Sequence, residues 1–273
     1  MAAVSVTKCQ ATGNDFILLD RRAGSSARYP ELARFLCDRR LGVGGDGLLV
    51  LSVPADSDSD AALRIFNADG SEAQMCANGV RCVARYVSER WARSAGRLRL
   101  ATNAGIVNCQ SGQCDGAWRV EVAIGEPTLG ALAPSPLQGC SFRRVSVGNE
   151  HVVAFVESDL AQLDLADVAR RVNAGAPPEY AANVEIARAG RGGFEMRVWE
   201  RGVGETMACG TGACAVAACA IAGGLARSPV TLSMRGGRVD VVWDGPGCLA
   251  TLIGDAQIVF DADVALPEDP ALA

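Results

Sequence analysis

The alternation of apolar and polar positions predicts short strands and a few helices, and the same order of elements occurs twice along the chain. Residues 14–20 form an apolar strand after Gly13, and residues 152–156 form another after Gly148-Asn149-Glu150-His151. Continuous apolar runs of this length, bounded by turn residues, read as buried strands. Helices are predicted over residues 31–39 and 163–173, each preceded by polar or Pro/Asp start signals. Small-residue helices follow over 80–90 and 213–222. Strands come next at 97–101, 105–108 and 118–123, and again at 230–234, 238–243 and 248–254. The Pro-, Gly- and Ala-rich stretch 126–139 reads as a linker between the halves. A last strand at 257–260 has no local counterpart and is expected to cross back to the first half.

The repeat extends to individual residues. Leu63-Arg64-Ile65-Phe66 leads through Glu72 to Cys76 and Gly79, and Met196-Arg197-Val198-Trp199 leads through Glu205 to Cys209 and Gly212. Every matched pair is offset by 133 (209 − 76). Two equivalent cysteines imply a site shared by the halves, one thiolate removing a proton and the other thiol returning one from the opposite side. The predicted lobes are 1–124, with 257–273 returning to it, and 125–256.

Each cysteine precedes a helix whose first turn is Ala77-Asn78-Gly79 or Gly210-Thr211-Gly212. Unpaired N–H groups there favour an anion, so the thiols are expected to have lowered pKa values and the first turns to receive a substrate carboxylate.

Composition narrows the alternatives. The chain has 273 residues, 49% of them hydrophobic, enough for two cores. A net charge of −5 gives no basic field for nucleic acid or an anionic membrane. No apolar run is long enough to span a bilayer, and residues 1–5 lack the blocks of a signal peptide, so a cytoplasmic protein is expected. Eleven cysteines without a C-x-x-C pair, and His151 as the only histidine, fit neither a disulfide scaffold nor a zinc ribbon. Cys9, Cys37, Cys140 and Cys248 read as small buried hydrophobes. Lys8 is the only lysine that could form a Schiff base with pyridoxal phosphate, and no phosphate-cradling glycine loop lies near it.

Gly13-Asn14-Asp15-Phe16, Phe66-Asn67-Ala68-Asp69-Gly70-Ser71-Glu72, Cys76-Ala77-Asn78-Gly79-Val80-Arg81-Cys82, Gly148-Asn149-Glu150-His151 and Glu200-Arg201-Gly202-Val203-Gly204-Glu205-Thr206, leading to Ala208-Cys209-Gly210-Thr211-Gly212-Ala213-Cys214, resemble the diaminopimelate epimerase family. The resemblance runs from residue 8 to about 260. It implies an α+β fold of two pseudo-symmetric lobes, each a β-barrel-like sheet around a central helix, with the active site in the cleft between them. It also implies a cofactor-independent isomerase that converts L,L- to meso-diaminopimelate, in lysine and cell-wall precursor biosynthesis, and a homodimer with Phe260 at a contact position. Carried over by residue, Cys76 and Cys209 are the acid/base pair, supported by His151 and Glu200. Asn14, Asn67, Asn149, Asn183, Glu200 and Arg201 hold the substrate, with Arg201 on the distal carboxylate. The backbone of Ala77, Asn78, Gly210 and Thr211 receives the reacting carboxylate. Cys209 takes the proton from the L,L isomer. This sequence departs from the family's pattern at Ala77, usually Gly, and at Glu150, usually Pro; Gly47 lies where members carry Gln or Gly.

Other readings stay open from the residues alone. Asn14 and Asn149 suit ordinary turns, and Arg201 suits a solvated surface. The repeat partner of Arg201 is Ala68, an asymmetry that fits a substrate with one extra charged end. A racemase of proline, hydroxyproline or histidine would keep both cysteines without that clamp. A cysteine-based redox or metal-binding protein would need Cys82, Cys114 and Cys214 as much as Cys76 and Cys209.

Overall fold

The structure is a computed structural model that describes residues 3–22, 28–55, 57–91, 96–134, 137, 139–177 and 181–267. The chain divides into two compact units, residues 1–122 with 255–273 and residues 123–254. Residues 268–273, assigned above to the returning segment, lie outside the described residues.

Unit 1 is one sheet. Gln257–Ala265 pairs antiparallel with Ala3–Ala11, and that strand with Asn14–Asp20, across a tight turn in which Thr12 and Gly13 both take positive φ (51° and 77°). Asn14–Asp20 runs parallel to Gly47–Ser52 after the crossover helix α1 (Tyr29–Cys37). Gly47–Ser52 is antiparallel to Ala61–Asn67, which is parallel to Arg97–Thr102 after a second crossover helix, α2 (Ala77–Arg90). Gly105–Cys114 and Ala117–Gly125 complete the antiparallel end. The short strand Glu72–Ala73 folds back on Ala61–Asn67 immediately before α2.

Unit 2 has the same sequence of pairings. Thr128–Pro134, Ser141–Ser146 and Glu150–Phe155 are successive antiparallel strands. Helix α3 (Leu165–Val172) crosses to the parallel strand Asn183–Gly190, which is antiparallel to Gly193–Glu200. Helix α4 (Gly210–Ala222) crosses to the parallel strand Val230–Met234, followed by Gly237–Val242 and Ala250–Gly254. Gly204–Glu205 folds back on Gly193–Glu200, as its counterpart does in unit 1.

The helices differ in composition because they differ in place. In α1, Pro30 and Glu31 occupy the first turn, where a missing N–H and a negative charge are both favourable, and the apolar face (Leu32, Ala33, Leu36) packs on Leu48, Val50 and Phe66. In α3, Asp164 caps the helix by accepting from the Asp167 N–H at 3.0 Å, and Leu165, Val168 and Ala169 pack on Val152, Val184 and Ile186. α2 and α4 lie inside their sheets. α2 touches Ala3–Ala11, Asn14–Asp20, Gly47–Ser52, Gly105–Cys114 and Gln257–Ala265, and α4 is surrounded in the same way within unit 2. A helix buried on all sides must be apolar all round and small enough for close approach, and α4 (GTGACAVAACAIA) meets both demands.

Two expectations need correction. The stretch read as a linker contains the strand Thr128–Pro134, which pairs with Ser141–Ser146; at Gly130 a Cβ would come within 3.2 Å of Arg144 on the neighbouring strand, so the glycine there serves close strand approach. Residues 135, 136 and 138 of that stretch lie outside the described residues. Cys248 is exposed, in the turn before Ala250–Gly254, and Cys140 is only half-buried, so the rule that free cysteines are buried fails for these two.

Candidate active site

Both repeated cysteines are the N-cap residues of the buried helices. Cys76 has extended backbone (φ −143°, ψ 113°) before α2, and Cys209 the same (φ −127°, ψ 117°) before α4. The sulfurs therefore stand at the ends of helices whose first N–H groups lack intrahelical partners. Small first-turn residues leave room there: a Cβ on Gly79 would come within 2.9 Å of Leu49 Cδ2, and one on Gly212 within 2.6 Å of Glu185 Oε1, so either side chain would have to move.

In unit 1 a chain of amides leads to Cys76. Asn14 Oδ1 accepts from the Asn78 amide at 3.2 Å and from the Cys76 thiol at 3.9 Å. The other end of Asn14 is fixed by Asp46, whose Oδ2 accepts from Asn14 Nδ2 at 2.7 Å. Asp46 is gripped in turn by Arg39 (2.8 Å), which also binds Asp15 at 2.6 Å. Burial would raise the Asp15 carboxyl, but hydrogen bonds from Arg39 and Lys8 outweigh it and hold the pKa down at about 2. Lys8 itself is ion-paired to Asp15 at 2.5 Å and donates to the Gly44 carbonyl. Behind Asn78, the fully buried Arg81 donates to Asn78 Oδ1 at 2.7 Å, to the Thr12 hydroxyl and to the Asp255 carbonyl at 3.1 Å. Asn67 is exposed and donates to Ser71 Oγ at 2.9 Å.

In unit 2 the groups around Cys209 are acidic and more deeply buried. Cys209 Sγ accepts from the Gly212 N–H at 3.4 Å and lies 3.4 Å from Thr211 Oγ1. Asn149 Nδ2 reaches Thr211 Oγ1 at 3.5 Å, and Asn149 Oδ1 is 2.9 Å from His151 Nε2. The other ring nitrogen of His151 is 2.7 Å from Glu185 Oε1. Glu200 accepts from the Thr206 hydroxyl, and burial raises its pKa against the pull of Thr206 and the Cys209 thiol. The Arg201 N–H donates to Asn183 Oδ1 at 2.8 Å; its guanidinium is exposed, with a 3.4 Å contact to the Ala181 carbonyl.

The expected lowering of the thiol pKa is wrong for Cys209. Burial pushes this thiol well above its ordinary value, and the carboxylates of Glu200 and Glu185 push it further; Thr211 and the Gly212 N–H oppose them without prevailing. A helix N-terminus offers partial charge only, whereas desolvation acts on a full thiolate charge.

Within unit 1 the structure brings together Asn14, Cys76, Ala77 and Asn78; within unit 2 it brings together Asn149, His151, Glu200, Cys209, Gly210 and Thr211, with Asn183 beside Arg201. Sequence reasoning passed over Asp46 and Glu185. Asp46 is an acid within a glycine run, and Glu185 an acid within the apolar run Asn183-Val184-Glu185-Ile186-Ala187. Among the described residues, no three His, Cys, Asp or Glu side chains converge as a metal-ligand set.

The diaminopimelate epimerase family model matches residues 6–130 and 143–259. The chain belongs to the diaminopimelate epimerase family. Curated family members include proteins from Azoarcus sp. (36% identity, 97% of this chain and 99% of the relative) and Desulfitobacterium hafniense (39%, 94% and 96%), both named diaminopimelate epimerase. Family membership makes the chain an isomerase. The fold is also that of a phenazine biosynthesis protein of the PhzF family from Bacillus anthracis (TM-score 0.77, 17% identity, 97% of this chain and 100% of that one). A hydroxyproline epimerase from Agrobacterium vitis shares it too (TM-score 0.69, 18% identity, 98% and 94%).

Proposed function

We propose that the protein epimerises L,L-diaminopimelate to the meso form by a two-base proton transfer between Cys76 and Cys209. The observation that carries this reading is the same cysteine cap on the same buried crossover helix in both units. One thiolate removes the α-proton, the electron pair passes into the α-carboxylate as an enolate-like dianion, and the opposite thiol delivers a proton to the other face. The product leaves with the thiol and thiolate exchanged. Hydrogen bonds from the first turns, Ala77-Asn78 and Gly210-Thr211, stabilise the charge that develops on that carboxylate.

Arg201 takes the distal carboxylate, and Asn183 fixes its backbone. Asn14 and Asn149 orient the reacting end, each pinned by a carboxylate-containing chain. Glu200 and His151 support Cys209. No Schiff-base step is assigned, because the one lysine is held by Asp15 and the Gly44 carbonyl. Incubation with L,L-diaminopimelate is expected to yield the meso isomer, with L-proline and L-histidine unchanged. Racemisation of proline or histidine, with diaminopimelate untouched, would refute the substrate.

No helix among the described residues is long and apolar enough to cross a membrane. The reading extends to a cytoplasmic homodimer, supported by the exposed Val259 and Phe260 (55% and 44%) side by side on Gln257–Ala265. Light scattering of the purified protein at the monomer mass would refute the dimer.

A further inference from the structure

Strand registers align the two units residue by residue. Phe16 pairs with Gly47 in the parallel pair of unit 1, and His151 pairs with Asn183 in that of unit 2. Two residues further along the second strand lie Leu49 and Glu185. Each packs against the first-turn glycine of the buried helix: Leu49 against Gly79, and Glu185 against Gly212. In unit 1 these register positions hold two buried apolar side chains, Phe16 and Leu49, with Leu49 against the cap glycine. Unit 2 places a hydrogen-bonded imidazole and carboxyl there instead.

That replacement is costly. His151 and Glu185 are both 0% exposed, and Glu185 Oε2 has no hydrogen-bond partner among the described residues. A half-satisfied buried carboxyl carries a desolvation cost that the leucine filling the same place in unit 1 does not. Its retention needs a reason other than packing, and the hydrogen-bond chain supplies one. Asn149 donates its amide to Thr211, so its Oδ1 faces His151 Nε2, which must carry a proton. His151 Nδ1 faces Glu185 Oε1, so a second proton lies on that line. Ring and carboxyl together hold two protons, and the ring orientation is locked at both nitrogens, as a buried carboxylate locks the histidine of a hydrolase triad.

We propose that Glu185 is a positioning residue for proton transfer at Cys209: it holds the His151 ring, the ring holds the Asn149 amide, and the amide holds Thr211 beside the sulfur. The inference rests on the epimerase reading of Cys209. Its test separates the two.

His151 is the only histidine, so tag-free protein gives a single imidazole by NMR. The wild type is expected to show one exchange-protected, low-field Nδ1 proton, which Glu185→Gln loses. In the same variant the Asn149 side-chain amide signals, identified by their loss in Asn149→Ala, are expected to move. Its kcat/KM for L,L-diaminopimelate is expected to fall about 10- to 100-fold, the size of loss seen when the carboxylate that orients a metal-ligating histidine is removed. The loss should fall mainly on kcat. Glu185→Asp keeps a carboxylate, and its activity should lie between glutamine variant and wild type; it also serves if the glutamine variant does not fold. A folded Glu185→Gln with wild-type kcat/KM, or with imidazole and Asn149 signals unchanged, overturns the proposal. Wild-type protein that leaves diaminopimelate untouched while showing the low-field proton and its loss in Glu185→Gln would overturn the substrate reading and leave the positioning chain standing.

Discussion

Against the cap glycine of unit 1 lies Leu49, with Phe16 at the matching register position beside it; against that of unit 2 lies Glu185, hydrogen-bonded to His151 at the same register position. At the second and fifth residues of the helix the contrast is reversed: unit 1 has Asn78 and the buried cation Arg81, where unit 2 has Thr211 and the apolar Cys214. Both units hold a cysteine on the same frame, but one thiol shares its unit's interior with a guanidinium and the other with two carboxyls. A duplicated scaffold can thus keep geometry common while the electrostatics of each half diverge. A reaction that needs one sulfur ionised and its partner protonated would use that divergence.

The function shared by the two units depends most on the cysteines. Cys76→Ser and Cys209→Ser are each expected to lower kcat/KM by about 10³-fold or more, since a hydroxyl is a far weaker acid than a thiol. The melting temperature should stay close to wild type. Full activity in either variant would refute the two-base scheme.

Arg201, whose counterpart is Ala68, tests the asymmetry of the substrate. Arg201→Lys should cost about 2 to 5 kcal/mol in kcat/KM for L,L-diaminopimelate, because lysine cannot form the planar two-point contact. Wild-type protein that racemises L-lysine as efficiently would show that no distal carboxylate is being read.

Arg81→Cys gives unit 1 the residue that unit 2 carries at this place. It strands Thr12 and Asn78, so unfolding in urea should show a loss of about 2 to 4 kcal/mol. An unchanged midpoint would mean that the buried cation is dispensable.

Asp15 gives a smaller, pH-dependent effect confined to unit 1. Its pKa is depressed to about 2 from 3.8. Its contribution is therefore complete above pH 4 and is lost as pH falls through 2. The ion pairs are partly solvated, so Asp15→Asn should cost about 1 kcal/mol at pH 7, less at pH 2, and nothing once the pH is well below 2, read as a converging pair of stability curves. At the bottom of the scale, Cys114→Ser and Cys248→Ser alter exposed thiols and should change stability by less than about 0.5 kcal/mol and activity not at all.

The constant offset of 133 made the repeat readable, because buried helix caps tolerate no insertion between Glu72 and Cys76 or between Glu205 and Cys209. Apolar periodicity located α1 and α3 to within about two residues. The strand Thr128–Pro134 is not legible in the sequence because its Gly, Ala and Pro content matches a loop, and only its partner Ser141–Ser146 makes it a strand. Glu185 and Asp46 are hidden because each acts on another side chain, and the partner is 34 or 32 residues away. The raised Cys209 pKa is not legible in local sequence, which shows the helix end but not the carboxyls of Glu200 and Glu185 that fold around the sulfur.

Gln257–Ala265 joins the sheet of unit 1 although all of unit 2 precedes it, and Ser5 bonds Asp263 across 258 residues. This splits the two units in time as the ribosome makes them. Residues 123–254 form a continuous stretch that can be completed while synthesis is still under way, whereas Ala3–Ala11 emerges early and waits with one edge unpaired until residue 265 has been added. An unpaired strand edge is a template for association with other chains, and distant pairing is slow to form. The vulnerable period of a newly made molecule is therefore set by the length of its second unit.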